Sequence, residues 1–239
     1  MITEPMKYSI ALVDYLNTLP FSEGLKISGA EDEFNIHRVT PSACAQLYKD
    51  GAVDISLCPV GALTEMPAYE ICGQYCIGAD GPVDSVMLLS HVPVDQITTI
   101  KLDEHSRTSN LLVQVLAKKY WQKQWKYGIS LNGHEDACIM IGDKVFDNKE
   151  KFAYQYDLAQ AWKSFTGLPM VFAVWIKRPE VPDTVMKAID HAFEKGFAAI
   201  MEGNISLPAD KRDYLLHRIS YRLDQKKLEA LSKFQSMIT

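Results

Sequence analysis

The sequence predicts an α/β fold with mostly parallel sheets, arranged as two lobes. Short apolar segments of strand length alternate with amphipathic helical segments along most of the chain, as in strand–helix–strand units. The longest apolar run, residues 169–176, is far shorter than the roughly 20 residues of a membrane-spanning helix, so it predicts a buried strand. Beyond this run the chain is helical, and a helical tail packed on the first lobe would make that lobe discontinuous.

The predicted strands share an apolar composition, and several alternate with a period of two. They are residues 8–13, 53–57, 70–77, 86–89, 98–102, 137–141 and 171–176. Pro59 stops the second of them, and Pro82 with two glycines separates the third from the fourth. Crossings between the lobes are expected near residues 85–90 and 168–175. The first lobe then contains residues 1–88 and 172–239, and the second contains residues 89–171.

The helical segments carry recognisable start and stop residues. Pro41 suits the first turn of a helix over 41–48, and Gly51 suits the position after its end. Asp157 is a good N-cap for a helix that Gly167 ends. A further helix follows strand 98–102 and continues to about Trp121. The tail contains helices at 183–202, 209–218 and 224–238, whereas residues 14–20 predict a loop-like polar turn.

The composition restricts the class of protein. A hydrophobic fraction of 47% and a charged fraction of 23% are typical of a globular domain. A net charge of −5 without a basic run argues against a nucleic-acid partner, and no apolar run suggests a membrane partner. The five cysteines are odd in number and contain no CxxC pair, and no secretory signal precedes them. We therefore expect a cytoplasmic protein with reduced thiols.

Three hydroxyl groups and a guanidinium stand where the helix after strand 98–102 begins. This helix-start cluster consists of Ser106, Arg107, Thr108 and Ser109. The free N–H groups of a helix start favour an anion by about 0.3–1 kcal/mol when exposed. Hydroxyl donors and an arginine could add charge-assisted bonds in a closed cleft. Alternatively, one hydroxyl caps the helix and the other side chains face water.

Other polar residues flank predicted strands, where ligands bind in open α/β sheets. Asn17 and Thr18 follow the first strand, Asp143 follows strand 137–141, and Ser85 precedes strand 86–89. Asn17 and Asp143 have an ordinary structural interpretation as well, because Asn and Asp are common turn residues.

Motifs of common catalytic and metal sites are absent from the sequence. It contains no GxSxG elbow, Walker loop, GxGxxG or HExxH. The segment His134-Glu135-Asp136 favours a solvated turn over a metal site, because neighbouring residues face different ways on a strand. His105, beside the helix-start cluster, is the histidine closest to the predicted cleft. We expect an anion-binding cleft without a metal ion.

Six motifs in order resemble the chorismate dehydratase family of menaquinone biosynthesis by the futalosine pathway. They are VDYLNTLPF, DISLCPVGAL, SVMLLS, LDEHSRTSNLLVQVL, ACIMIGD and YDLAQAWKSFTGLPMVFAVW. The resemblance covers residues 7 to about 178 and is weaker over the helical tail. Where many members have a serine after the proline of the second strand, this chain has Val60, so a hydroxyl contact would be lost there.

The resemblance implies a two-lobed fold similar to type II periplasmic binding proteins, with the ligand between the lobes. It implies that Asn17 and Ser85 line the substrate cleft, as positioning groups in catalysis. It also implies that the helix-start cluster, Ser106 to Ser109, faces a carboxylate of the substrate. Thr18 and Asp143 complete the expected substrate-binding set.

The implied reaction is loss of water from chorismate, giving 3-[(1-carboxyvinyl)oxy]benzoate. Such an enzyme is a carbon–oxygen lyase of the hydro-lyase class. Aromatisation of the ring drives the elimination, so we expect no cofactor. No strong general base stands near Asn17 and Ser85, and a substrate carboxylate is our hypothesis for the proton acceptor, with Asp143 and His105 as alternatives.

Rival interpretations share the fold. One is the sister enzyme of the same pathway, 1,4-dihydroxy-6-naphthoate synthase. Others are an exported solute-binding protein, disfavoured by the absent signal, and a cytosolic carboxylate-binding protein without turnover. The oligomeric state is left open, because Trp121 and Trp125 suit either a subunit interface or the cover of the lobe's own core.

Overall fold

The structure, a computed structural model, describes residues 7–129 and 133–238. The strands of this part of the chain are β1 (Ser9–Val13), β2 (Asn35–Val39), β3 (Ile55–Pro59), β4 (Glu70–Ala79), β5 (Val86–Ser90), β6 (Thr99–Lys101), β7 (Lys126–Gly128), β8 (Ala137–Ile141), β9 (Tyr154–Asp157) and β10 (Met170–Lys177). The α-helices are α1 (Leu19–Ser28), α2 (Pro41–Lys49), α3 (Arg107–Leu116), α4 (Lys144–Asn148), α5 (Leu158–Thr166), α6 (Asp183–Met201), α7 (Ala209–Asp213) and α8 (Gln225–Ile238).

The described strands form two five-stranded sheets. The first has the order β2-β1-β3-β10-β4 and the second the order β7-β6-β8-β5-β9. In the first sheet β10 runs antiparallel to both of its neighbours, and in the second sheet β5 does the same. The other strands of each sheet share one direction. The predicted α/β fold with mostly parallel sheets is therefore confirmed.

The chain passes between the sheets twice. It leaves the first sheet after β4, enters the second at β5, and returns at β10 after α5. Both β5 and β10 run unbroken through the expected lobe limits at 88/89 and 171/172. We propose that the lobes divide in the connecting segments 80–85 and 167–169.

Several elements were not predicted from the sequence. The expected loop over 14–20 is a short 3₁₀ turn, Leu16–Thr18, followed directly by α1, in which Pro20 occupies the first turn. The edge strand β2 is mostly solvent-exposed and lacks an apolar pattern. The short elements β7, α4 and β9 also carry little apolar signal, since each has at most one buried residue.

Trp121 and Trp125 belong to the second sheet's own core. Helix α3 continues into a wide turn, Ala117–Trp121, after which Trp125 is 7% exposed. The Trp121 ring lies 5.5 Å from that of Trp125 and 6.2 Å from that of Tyr156. Of the two interpretations, the structure supports a cover for the lobe's core.

The helical tail packs on the first sheet. Helix α6 crosses α1 so closely that Gly24 and Gly196 leave no room for a Cβ atom. A Cβ on Gly196 would lie 1.9 Å from the Pro20 carbonyl oxygen. Beyond α7, residues 219–223 run along β4, where Ser220 donates to the Gly78 carbonyl at 2.8 Å and Cys76 donates to the Tyr221 carbonyl at 2.7 Å. None of the described helices meets the length and apolarity that crossing a membrane requires.

Asp190 of α6 provides a pH-dependent test of this packing. Its carboxylate is 6% exposed and accepts a hydrogen bond from the Gln74 N–H at 3.1 Å. Burial raises the pKa of Asp190, so the folded state binds its proton more tightly than the unfolded state. This group therefore contributes most stability below its unfolded pKa of about 3.9, and that contribution is lost as the pH rises through the folded pKa.

We expect Asp190→Asn to be more stable than the unaltered protein at pH 7, because the amide still accepts from Gln74 without a buried charge. The difference in unfolding free energy should shrink between pH 7 and pH 4. Urea unfolding of both proteins across that range measures it, with the exposed Asp210→Asn as the control. A difference that grows towards pH 4 would show instead that the ionised carboxylate stabilises the fold.

Candidate active site

A cavity that is partly open to solvent lies between the two sheets, and its volume of about 600 Å³ includes part of that open space. The carboxyl ends of β1, β3 and β8 reach it through Val13, Pro59 and Ile141. Phe172 of β10 and Val86 of β5 add apolar surface from the two strands that follow the crossings. The cavity thus occupies the place where α/β sheets bind ligands.

The wall of this cavity carries no formal charge. Among its described lining residues there is no Asp, Glu, Lys, Arg or His, and Tyr15 is the titratable one. Burial raises the pKa of Tyr15, and the nearby carboxylates of Asp103 and Asp143 raise it further. Tyr15 is therefore a neutral phenol at pH 7. Recognition here depends on hydroxyls, amides and backbone N–H groups.

Asn17 lies in the cavity wall with an unused acceptor. It occupies the turn between β1 and α1, and its backbone carbonyl accepts a hydrogen bond from the Tyr221 hydroxyl at 2.9 Å. The side-chain Oδ1 atom is buried and has no partner within the described structure. Buried polar atoms are normally hydrogen-bonded, so this amide is prepared for a ligand or water.

Thr18 shapes the wall of the cavity and does not offer a hydrogen-bond donor to a ligand. Its hydroxyl lies 2.5 Å from the Val13 carbonyl and 2.7 Å from the Tyr15 carbonyl, so its single proton is used within the turn. The predicted contact from Thr18 to the substrate is thus reduced to lining. These bonds connect the end of the turn to the residues before it, so Thr18 fixes the position of Asn17.

Ser85 lines the cavity immediately before β5 and is 1% exposed. Its Oγ atom lies 2.7 Å from the Tyr214 hydroxyl, and its carbonyl accepts from the Gly142 N–H at 2.9 Å. Gly142 has a left-handed backbone with φ of +67°, and a Cβ there would lie 3.2 Å from the Tyr15 ring. The loop after β8 and the crossing segment are therefore held together at the wall.

Within the helix-start cluster, Ser106 and Ser109 line the cavity and form the cap of α3. Ser106 Oγ accepts from the Ser109 N–H at 3.3 Å and donates to Ser109 Oγ at 2.7 Å. The Ser109 hydroxyl proton is then available to a ligand. Ser106 therefore caps the helix, as one interpretation expected, whereas anion binding by Ser109 stays a prediction.

Thr108 bonds α3 to the first sheet. Its hydroxyl accepts from the Gly61 N–H at 3.1 Å and donates to the Phe172 carbonyl at 3.1 Å. The approach is close, since a Cβ on Gly61 would lie 3.0 Å from the Thr108 Cα. Although Thr108 lines the cavity, its proton is committed to the contact between the lobes.

We expect Thr108→Val to lower the unfolding free energy by about 1–3 kcal/mol, because it leaves a buried N–H and a buried carbonyl without a partner. The two side chains have the same shape, so packing is preserved. Urea unfolding measures the loss. The matched control, Thr166→Val, removes a half-buried hydroxyl that donates to the Trp162 carbonyl at 2.8 Å and accepts from the Leu168 N–H at 3.1 Å. Water can replace its bonds there, so this change should cost less. Equal losses would contradict the role of Thr108 between the lobes.

Arg107 does not line the cavity, so its expected contact with a substrate carboxylate stays a prediction without support from the cavity lining. Its guanidinium forms an ion pair with Glu65 of the first lobe, and 45% of its side chain is exposed. Neighbouring residues of a helix point in different directions, so Arg107 points away from the cavity that Ser106 and Ser109 line. His105 is also exposed, and its backbone N–H donates to the Asp103 carboxylate at 2.9 Å.

Asp143 likewise lies outside the cavity wall, next to Gly142. Both of its carboxylate oxygens lie 3.3 Å from the Leu16 N–H, so it joins the end of β8 to the turn that carries Asn17. Burial raises the pKa of Asp143. The structure thus gives Asp143 a contact between the lobes, and its role as a substrate ligand stays a prediction.

Pro59 belongs to the cavity wall as expected, whereas Val60 is buried and does not line the cavity. Asp136, in the segment considered for a metal, has its carboxylate bonded to Thr98 and Thr99. The sequence alone did not single out Tyr15, Gly142, Phe172, Tyr214 and Tyr221. The first three lie inside the quoted motifs, whereas the two tail tyrosines carry no local signal.

Comparisons with known proteins agree with this architecture. The chain matches a family model described as menaquinone biosynthesis over residues 8–239. Chorismate dehydratase of Thermus thermophilus is 24% identical over 221 residues, covering 82% of this chain and 79% of that protein.

Solved structures share the two-lobed fold. A protein from Archaeoglobus fulgidus has a TM-score of 0.74 at 13% identity, covering 97% of this chain and 96% of its own. The aliphatic sulphonate binding protein SsuA of Escherichia coli has a TM-score of 0.63 at 14% identity, covering 98% and 91%. A Candida albicans protein described as having the generic periplasmic binding protein fold has a TM-score of 0.63 at 12% identity, covering 98% and 94%. The expected similarity to periplasmic binding proteins is confirmed at the level of fold.

Proposed function

The chain belongs to the menaquinone biosynthesis family, and we propose that it is a cytoplasmic hydro-lyase that converts chorismate to 3-[(1-carboxyvinyl)oxy]benzoate. The observation that carries this proposal is the uncharged cavity between the sheets, into which Asn17 and Ser85 both face. Its apolar surface suits a six-membered carbon ring. Its few polar groups are donors and acceptors rather than the nucleophile or metal ligands of a hydrolase.

Binding of a dianion is the first requirement. The start of α3 offers free N–H groups and the Ser109 hydroxyl, and partly buried helix termini stabilise an anion by up to about 2 kcal/mol. Arg107 remains paired with Glu65 outside, so the carboxylate is held by dipoles in an enclosed space. Fixed dipoles of this kind need no reorganisation during the reaction.

The reaction then removes one hydrogen and the neighbouring hydroxyl from the ring. The C–H bond on the carbon that carries the ether breaks, its electron pair forms the new ring double bond, and the adjacent C–O bond breaks. The proton and the hydroxide leave together as water, and the ring becomes aromatic. Both carboxylates of the substrate remain in the product, so the atoms and charges balance.

A substrate carboxylate remains our proposal for the base that takes the proton. The described wall offers no carboxylate or imidazole, and Asp143 and His105 lie outside it. Tyr15 is a poor base because burial raises its pKa, so little phenolate exists at pH 7. Asn17 and Ser85 would hold the substrate in the geometry from which its own carboxylate reaches the hydrogen.

The first experiment incubates the purified protein with chorismate and follows the products by chromatography with mass detection. We expect loss of water to 3-[(1-carboxyvinyl)oxy]benzoate, against a protein-free control that measures spontaneous decay. Asp143→Asn and His105→Ala should retain turnover. If either variant bound chorismate but did not convert it, that residue would be the base. If the unaltered protein raised its melting temperature with chorismate but formed no product, a carboxylate-binding protein or the sister enzyme, 1,4-dihydroxy-6-naphthoate synthase, would replace the proposal.

A further inference from the structure

Two tyrosines of the helical tail reach the two polar residues of the cavity. Tyr214 lies 2.7 Å from Ser85 Oγ, and Tyr221 donates to the Asn17 carbonyl at 2.9 Å. Both phenols are deeply buried, and burial raises the pKa of each. They are therefore neutral hydroxyl groups at any pH near neutrality. Neither tyrosine lines the cavity, so each can act only through the residue it contacts.

The contact between Tyr214 and Ser85 has a preferred direction. Each of the two hydroxyl groups carries one proton, and the hydrogen bond between them uses only one of these protons. If Ser85 donated, the phenol proton of Tyr214 would be buried with no acceptor among the described residues. If Tyr214 donates, the remaining proton belongs to Ser85, whose hydroxyl borders the cavity. Burial of an unpartnered donor is costly, so the second arrangement is favoured.

The surroundings of Tyr214 keep its hydroxyl in place. Its ring packs edge-on against Phe146 at 5.2 Å, and its carbonyl accepts from the Ile219 N–H at 3.3 Å. The following residues are fixed to β4 through Ser220 and Tyr221. Ser85 is fixed in turn by the bond from the Gly142 N–H to its carbonyl. Both partners of the bond are therefore held by the backbone.

We propose that Tyr214 is a positioning residue, which donates to Ser85 and thereby directs the Ser85 proton at the bound substrate. This inference rests on the proposed dehydration of chorismate. Without the phenol hydroxyl, the Ser85 proton can turn towards other acceptors, and the oriented donor is lost. The tail, which carries no motif in the sequence, then contributes to the reaction through a single hydroxyl.

A double-mutant cycle on chorismate turnover tests the proposal. Tyr214→Phe keeps the ring against Phe146, and we expect it to lower kcat/KM by roughly 10- to 100-fold, the range seen when a contact that supports a metal ligand is lost. Ser85→Ala should lower kcat/KM at least as much. In the Ser85→Ala background, Tyr214→Phe should have no further effect, because residues that act as a unit are not additive.

Two further proteins separate positioning from stability. Tyr48→Phe removes another buried phenol hydroxyl, one that donates to the Ala68 carbonyl away from the cavity, and it should keep kcat/KM. Replacement of Tyr214 by 3-fluorotyrosine retains the hydroxyl and should give the kcat/KM of the unaltered protein. This replacement tests the proposal even if the Tyr214→Phe protein does not fold. Additive losses, an unchanged Tyr214→Phe enzyme or a failed rescue would each overturn the inference while the proposed function stands. If the unaltered protein neither converted nor bound chorismate, the proposed function and this inference would both be wrong.

Discussion

Asn17→Ala is expected to lower kcat for chorismate dehydration by about 10²–10³-fold, as the loss of one preorganised hydrogen-bonding group does at other sites. The Asn17 side chain has a buried, unpartnered Oδ1 atom in a cavity without charged residues. We expect a ligand that fills this cavity to donate a hydrogen bond to this atom, most strongly when the substrate is correctly oriented. The alanine variant loses that contact without disturbing the Tyr221 bond, which goes to the Asn17 backbone.

Steady-state kinetics with chorismate measures this effect, and the melting temperature shows that the fold is intact. Asn204→Ala is the matched control, because it removes an exposed amide far along the tail and should leave kcat unchanged. If Asn17→Ala raised KM alone, Asn17 would contribute equally to the ground state and the transition state. A variant with unchanged kcat and KM would remove Asn17 from the site.

Gly196→Ala is expected to destabilise the protein by about 3 kcal/mol or more, at the upper end of overpacking effects. The new Cβ atom would lie 1.9 Å from the Pro20 carbonyl oxygen and 2.7 Å from the Gly24 backbone nitrogen. Both contacts are with backbone atoms, so α1 and α6 must separate. Alanine is intrinsically about 1 kcal/mol better than glycine in a helix, which offsets only part of the cost.

A fall in melting temperature of roughly 10 °C would accompany this loss in a chain of such length. Lys195→Ala, at the neighbouring exposed position of α6, is the control and should change the melting temperature little. Because α1 follows the turn that carries Asn17, the Gly196 variant should also lose activity below its melting temperature. A stability equal to that of the unaltered protein would show that the two helices do not approach this closely.

The sequence predicts the elements whose residues carry their own signal. Strand Ala137–Ile141 has the predicted bounds because its apolar residues end at a glycine, and Asp157 caps α5 by accepting from the Ala159 and Gln160 N–H groups. Helix α1 was missed because Pro20 and Gly24 weaken its pattern. Its stability depends instead on packing against α6, a helix that begins more than 150 residues later.

The site was predictable only in part, for a similar reason. A serine at a helix start indicates a cap, and Ser106 is one. Arg107 pairs with Glu65, a residue distant in the chain, and a local sequence pattern cannot predict such a contact. The same holds for Tyr214, since its contact with Ser85 spans 129 positions.

The contacts between the lobes also bear on how quickly small molecules enter and leave. Thr108, Asp143 and Arg107 each join a residue of the second part of the chain to the first, and a wider opening must break all three contacts. The Thr108 contact is a buried hydrogen bond, whereas the Leu16–Asp143 hydrogen bond and the Arg107–Glu65 ion pair are exposed. Dissolved salt screens exposed charges over about 8–10 Å. We therefore expect added salt to weaken the ion pair between the lobes and to shorten the residence time of a bound molecule.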